Sequence, residues 1–135
     1  MKKLLLPLFV IILALTGCYY EEGPIISLRT PESRLVNKWK YEKFTLNGQD
    51  QMHNYQSSWV EFKKDKTAMF YEDTAYSYTA AWEFSDDFKT LYLNCTDDTF
   101  NTWEIDYNIL KLRDKELWME SDLGSLTMYL ELVAY

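Results

Sequence analysis

Residues 76–95 read Tyr76-Ser77-Tyr78-Thr79-Ala80-Ala81-Trp82-Glu83-Phe84-Ser85-Asp86-Asp87-Phe88-Lys89-Thr90-Leu91-Tyr92-Leu93-Asn94-Cys95. In the first half, Tyr76, Tyr78, Ala80, Trp82 and Phe84 share one parity, and in the second Leu91, Leu93 and Cys95 share another. A period of two sends alternate side chains to opposite faces, so each run reads as a strand with one packed and one wet face. The polar cluster 85–89 between them is a hairpin turn. Two strands joined by so short a link are antiparallel neighbours.

The same pattern repeats outward in both directions. Val60/Phe62 precede this hairpin, and Trp103/Ile105/Tyr107, Leu110/Leu112, Leu117/Met119 and Met128/Leu130/Leu132 follow it, with polar residues such as Glu61, Glu104, Asp106, Glu120 and Glu131 between. The parity slips near Ile109-Leu110, which predicts a β-bulge. Eight strands are expected, over 38–46, 58–64, 67–72, 75–84, 90–95, 101–112, 116–121 and 126–134. Short links favour a continuous meander, and a meander hides its edges by closing. The expected fold is therefore all-β: an eight-stranded antiparallel up-and-down barrel. A two-sheet sandwich needs a long crossover, and no link is long enough for one. Before the first strand, Thr30-Pro31-Glu32-Ser33 carries a capping hydroxyl, a first-turn proline and an acid, which predicts one short helical turn.

At the other end of the sequence scale, Lys2-Lys3, the apolar run 4–15 and Leu15-Thr16-Gly17-Cys18 form a secretory signal. The apolar run is too short for a spanning helix, which needs about 20 residues. Its last four residues resemble a bacterial lipobox, which makes Cys18 the lipidated first residue of the mature protein. The division expected is a signal peptide over 1–17, a lipidated N-terminus and tether over 18–33, and a barrel domain over 34–135. More than one acyl chain holds a protein stably at a membrane, so the expected location is the outer membrane, at its periplasmic face or the cell surface.

The chain of 135 residues has 14 Lys+Arg against 21 Asp+Glu. Clustered positive charge is what nucleic acid and anionic membrane surfaces select, so neither is an expected partner. Of two cysteines, lipidation takes one, and Cys95 shares the parity of two leucines as a small buried hydrophobe.

Several stretches taken together are similar to small bacterial lipoproteins with a lipocalin-like domain. They are Leu35-Val36-Asn37-Lys38-Trp39-Lys40 with Leu46-Asn47-Gly48, Val60-Glu61-Phe62 with the hairpin 64–67, Ala81–Asp87 with Lys89-Thr90-Leu91, and Leu110–Leu117. The resemblance runs from Leu35 to the C-terminus. Asn37 stands where the family usually has glycine, and asparagine keeps a left-handed turn available. Lys66 also replaces a usual glycine, which points to a different turn type. The resemblance implies an up-and-down barrel able to hold a small apolar molecule. It names no ligand, and fold alone does not give function.

An enzyme is not expected. His53 is the sole histidine, in a polar loop far from Cys95, and the four glycines are too dispersed for a phosphate loop. No zinc-type spacing of Cys and His occurs, and the acid pairs 72–73, 86–87 and 97–98 read as solvated turns. No metal or cofactor is expected.

The aromatic content is more informative. Trp39, Tyr76, Tyr78, Trp82, Phe84, Trp103 and Tyr107 are the candidate ligand-binding set, because several buried phenols in one interior point to a wet or ligand-accepting space. Trp59, Tyr92, Trp118 and Tyr129 face outward and are candidates for a protein-partner surface, the reading that belongs to a filled, structural barrel. Sorting the links of the meander by end puts 47–57, 72–75, 95–100 and 121–125 together. That end carries Asp50, Glu72, Asp73, Asp97, Asp98 and Asp122 and neither lysine nor arginine. It is the expected mouth, an acidic ring that attracts cations and repels anions.

Overall fold

A computed structural model describes residues 28–73 and 76–135, apart from the side chain of Tyr76. The signal peptide, Cys18, residues 19–27 of the tether and the Tyr76 side chain lie outside the described residues. Helix α1 (Pro31–Leu35) leads into strands β1 (Lys38–Leu46), β2 (Gln49–Asp50), β3 (Trp59–Phe62), β4 (Thr67–Glu72), β5 (Tyr76–Phe84), β6 (Thr90–Asp97), β7 (Thr102–Leu112), β8 (Glu116–Asp122) and β9 (Thr127–Ala134). Successive strands pair antiparallel, and β9 returns to pair with β1 from Met128↔Leu46 to Ala134↔Trp39. The sheet thus closes as an eight-stranded up-and-down barrel, with the two-residue β2 a small hairpin appended to β1.

Tyr76 aside, the predicted inward sets are inward. Trp39, Phe62, Leu91, Leu93, Leu112, Leu117, Met119 and Leu132 are fully buried together with Leu35 of the helix. One member differs: the bulge falls between Ile109 and Lys111, so Ile109 takes the buried position and Leu110 is half-buried. A second bulge at Glu42, between Tyr41 and Lys43, carries the buried face from Tyr41 to Phe44.

Helix α1 closes one end of the barrel. Thr30 Oγ1 accepts from Ser33 N, and Pro31 fills the first turn. The helix is tied down from inside by Trp39 Nε1, which donates to Leu35 O at 2.9 Å. Buried Arg34 donates to Leu112 O at 2.9 Å and to Arg29 O at 2.9 Å. Helix α1 begins at Pro31, so the last residues of the expected tether, 31–33, are helical. Arg29 also pairs with Asp114 at the base of the β7–β8 turn.

The short turns share a device the sequence only half revealed. Asp65 Oδ1 accepts from Thr67 N, and Asp87 Oδ1 from Lys89 N, which holds both carboxyls below their usual range; side-chain hydroxyls of Thr67 and Ser85 are the largest cause. Lys66 has φ 67 and Phe88 φ 59, the left-handed conformation that glycine holds most easily. Lys66 therefore keeps the glycine-type turn instead of changing it, and its ammonium packs on the Trp82 ring and on Glu32. Asn37 is not left-handed; its Oδ1 accepts from Lys38 N, and its carbonyl accepts from Phe62 N.

At the opposite end the β6–β7 turn is built the same way. Asp97 Oδ1 accepts from Thr99 N, Thr99 Oγ1 and Asn101 N, and Phe100 sits at φ 64 with its ring 87% exposed. A left-handed non-glycine costs about 1–2 kcal/mol, and here no buried contact offsets it. Phe100→Gly is expected to raise stability by about 1 kcal/mol, read as a higher midpoint in urea; an unchanged or lower midpoint would show that the ring is held by contacts after all.

Candidate functional site

Strand direction divides the interior into two storeys. The storey next to α1 holds Trp39, Phe62, Trp82, Phe84, Leu112, Leu117 and Leu132 in edge-to-face and aliphatic contact, such as Phe62–Trp82 at 6.2 Å and Trp82–Phe84 at 6.0 Å. Polar atoms here are satisfied within the chain, since the Trp39 indole donates to Leu35 O and the Trp82 indole to Thr67 O at 3.0 Å. This storey is solid packing.

The storey below the mouth has a different chemistry. Tyr41 and Phe44 come from β1, Phe70 and Glu72 from β4, Tyr78 from β5, Cys95 from β6, Trp103 and Tyr107 from β7, and Ser121 from β8. Phe70 and Tyr78 stack at 4.6 Å, and Trp103 leans on Tyr78 at 5.2 Å. Burial pushes the Tyr41, Tyr78 and Tyr107 hydroxyls above the ordinary phenol range, and burial also pushes the Cys95 thiol up to about 12. The cysteine is thereby an inert thiol at neutral pH.

Hydrogen bonding here is incomplete. Tyr41 and Tyr107 are 5% and 4% exposed, and neither hydroxyl has a partner among the described residues. Ser121 is 1% exposed, and its Oγ is buried without a partner. Continuing the β7–β8 register one step past Asn108↔Glu120 places Ser121 opposite Tyr107. A sealed hydroxyl without a partner, as Ser121 Oγ is, costs about 1–3 kcal/mol when nothing replaces its water.

The loop between β2 and β3 covers this storey. Strand β1 pairs with β3 only over Lys38–Lys40, so the seam between them opens toward the mouth. The single 3-10 turn Met52–Asn54 fills it: Gln51 N donates to Phe44 O, and Tyr41 N to Ser58 O. Tyr55, at the turn's end, lies parallel to Tyr41 at 6.1 Å and edge-on to Phe44 at 4.7 Å. Met52 and Tyr55 pack against the core while His53 stays exposed. The sequence reading took this stretch for an open polar loop. Its signal was an aromatic and a methionine placed among polar residues.

Of the predicted interior set, Tyr78, Trp103 and Tyr107 meet in the upper storey, whereas Trp39, Trp82 and Phe84 lie in the solid lower one. Tyr41, Tyr55 and Ser121 were not foreseen. Tyr41 was legible in the alternation Trp39-Lys40-Tyr41, but Ser121 carries no sequence signal beyond its parity with Leu117 and Met119.

The acidic links do share the mouth end, and most of their carboxylates serve the turns. Asp50 accepts from Met52 N, Asp73 from Ser57 N and Asp122 from Gly124 N, while Asp97 holds its own loop and Asp98 is exposed. Glu72 differs. As the last inward residue of β4, above Ala68 and Phe70, it is half-buried, and among the described residues it has no hydrogen bond or ion pair. Desolvation raises its carboxyl, and no lysine or arginine opposes that rise. No group of three or more His, Cys, Asp or Glu able to hold a metal occurs among the described residues.

The outward aromatics do not make one surface. Trp59 stacks on Tyr71 at 5.6 Å under Lys38, whose ammonium also lies 4.3 Å from the Tyr135 ring. Trp118 lies 3.3 Å beneath the buried Lys111 ammonium, and Tyr129 donates to Glu131 Oε1 at 2.8 Å beneath Lys43. Burial, and then that bond, push the Tyr129 hydroxyl up to about 12. Tyr92 stands apart on β6, in a shallow groove of about 420 Å³ beside Glu83, Glu104 and Asp106. Compared with known proteins, the chain matches no protein family and no curated sequence.

Proposed function

We propose that this protein is a lipid-anchored, non-enzymatic binding module, lipocalin-like in kind, that takes a small, largely apolar ligand beneath the mouth of its barrel. The observation that supports it is the contrast between the two storeys. The lower one is packed and satisfied, while the upper one gathers the unpartnered groups of Tyr41, Tyr107, Ser121 and Glu72 among the rings of Phe44, Phe70, Tyr78 and Trp103. Binding sites are mostly apolar with a few placed polar groups, and this arrangement fits that description. The anchoring half of the reading rests on Leu15-Thr16-Gly17-Cys18.

Two experiments test it. Native mass spectrometry of protein purified from its own host is expected to show a bound small molecule. An empty protein whose tryptophan fluorescence also ignores a panel of lipophiles would end the binding reading. Membrane fractionation is expected to find the wild type cleaved and anchored. Cys18→Ala is expected to be released; a mutant that stays membrane-bound and uncleaved would end the lipoprotein reading. The rival, a structural barrel docking a protein through Trp59, Tyr92, Trp118 and Tyr129, needs a continuous patch; Trp118 and Tyr129 are diagonal neighbours on β8 and β9, while Trp59 on β3 and Tyr92 on β6 stand apart from them.

A further inference from the structure

Glu72 poses the question of what neutralises it. By its parity with Phe70 its carboxylate faces the upper storey, and among the described residues no lysine or arginine forms an ion pair with it. Lys43 is paired with Glu131, Lys66 with Glu32 and Lys111 with Glu116, while Lys38 caps the Trp59 and Tyr135 rings, all on the outer surface or at the closed end. The loops of the mouth add Asp50, Asp73, Asp98 and Asp122 and no lysine or arginine. A carboxylate partly withdrawn from water without a counter-charge loses hydration that nothing in its surroundings repays.

What surrounds Glu72 is suited to one kind of counter-charge. Glu72 shares the parity of Phe70, two residues before it on β4, whose ring stacks on Tyr78 at 4.6 Å, and Tyr55 lies over Tyr41 at 6.1 Å in the same storey. Burial keeps these phenols protonated, so they offer neutral oxygen and ring faces, not anionic metal ligands. A single carboxylate among neutral phenols is a poor divalent-metal site, since hard cations take six or more oxygen ligands. Aromatic faces around one acid are instead what organic ammonium ions bind.

We propose that the upper storey binds an organic cation, an amine or quaternary ammonium carried on an apolar body. The nitrogen sits at Glu72 among the tyrosines, and the body packs on Phe44, Phe70 and Trp103. This inference rests on the binding-module reading and adds the charge of its ligand. The acidic loops above act on the same ligand from a distance, concentrating cations at the mouth and turning anions away.

The test uses three probes with one body: octyltrimethylammonium, octanol and octanoate, each below its micelle concentration, titrated calorimetrically into the folded protein. The ammonium is expected to bind at least about tenfold tighter than octanol, and octanoate more weakly than either. Glu72→Gln, which keeps shape and volume, is expected to lower ammonium affinity by about tenfold or more and to leave octanol unchanged. Asp98→Asn, an exposed acid of the mouth, is expected to cost only about twofold and to lose that effect in high salt. Octanol bound as tightly as the ammonium, or an ammonium affinity indifferent to Glu72→Gln, overturns the cation while leaving the binding module intact. Failure of all three probes at millimolar concentration overturns both.

Discussion

Trp39→Ala is expected to remove about 3–5 kcal/mol of folding stability, the range for deleting a large aromatic from a sealed core. Trp39 is fully buried at the junction of α1, β1 and β9, where it pairs with both Val60 and Ala134. Alanine there leaves a cavity under the helix and also orphans Leu35 O, which now accepts from the indole. Domains of this size hold about 5–15 kcal/mol in all, so the loss is a large share. Trp39→Phe separates the two effects, keeping most of the volume while losing the hydrogen bond, at about 1–2 kcal/mol. Urea unfolding monitored by far-ultraviolet circular dichroism measures both. A loss under about 1 kcal/mol for the alanine variant would mean that the lower storey is not the packed foundation described here.

Arg34→Ala carries the second largest expected effect, about 1.5–3 kcal/mol, because bonds from a charged donor to buried carbonyls are among the stronger ones. The guanidinium is 4% exposed and reaches Leu112 O and Arg29 O at once. No carboxylate is among those partners, so the group acts as a planar fork that joins the segment before α1 to the end of β7. Lysine brings charge without the fork, and Arg34→Lys is expected to recover less than half of the loss. Full recovery by lysine would assign the effect to charge rather than to geometry. Amide exchange gives an independent reading: the amides of Arg34 and Val36, which donate to Thr30 O and Glu32 O, are expected to lose protection in the alanine variant before those of the strands do.

The strands were legible because most carry a period of two without a break and because six of the seven links between the barrel strands are short. Predicted and observed ends agree within about two residues, the usual scatter of such boundaries. The slip near Ile109 was also legible, though not which residue it would turn outward, because Ile109 and Leu110 are equally apolar and only the register with Met119 decides. The bulge at Glu42 went unseen since Tyr41 and Phe44 read equally well as two faces. Lys66 shows a limit of composition. A left-handed turn was discounted for want of glycine, yet Asp65 and the contact with Trp82 hold lysine in that conformation. In the upper storey, parity picked out Tyr78, Trp103 and Tyr107 as inward residues, and the sorting of links by end put Glu72 at this end of the barrel. Parity says nothing of height along the barrel, so Trp39, Trp82 and Phe84 were grouped with residues a storey away. Tyr55 was beyond reach for another reason: it comes from a loop, and a loop has no period to read.

The chain enters and leaves the barrel at the same end. Helix α1 lies there, and Tyr135 N, at the close of β9, donates to Lys38 O at the start of β1. Whatever is attached to either side of the folded unit is therefore joined at the floor, leaving the rim around Phe100 and Leu123 unobstructed. A fluorescent fusion, a biotin handle or an immobilising tag at the C-terminal side is expected to orient the molecule with the end that carries Phe100 and Leu123 outward. If the N-terminal side is held at a bilayer, that same geometry turns the opening away from the lipid, toward whatever arrives from the surrounding water.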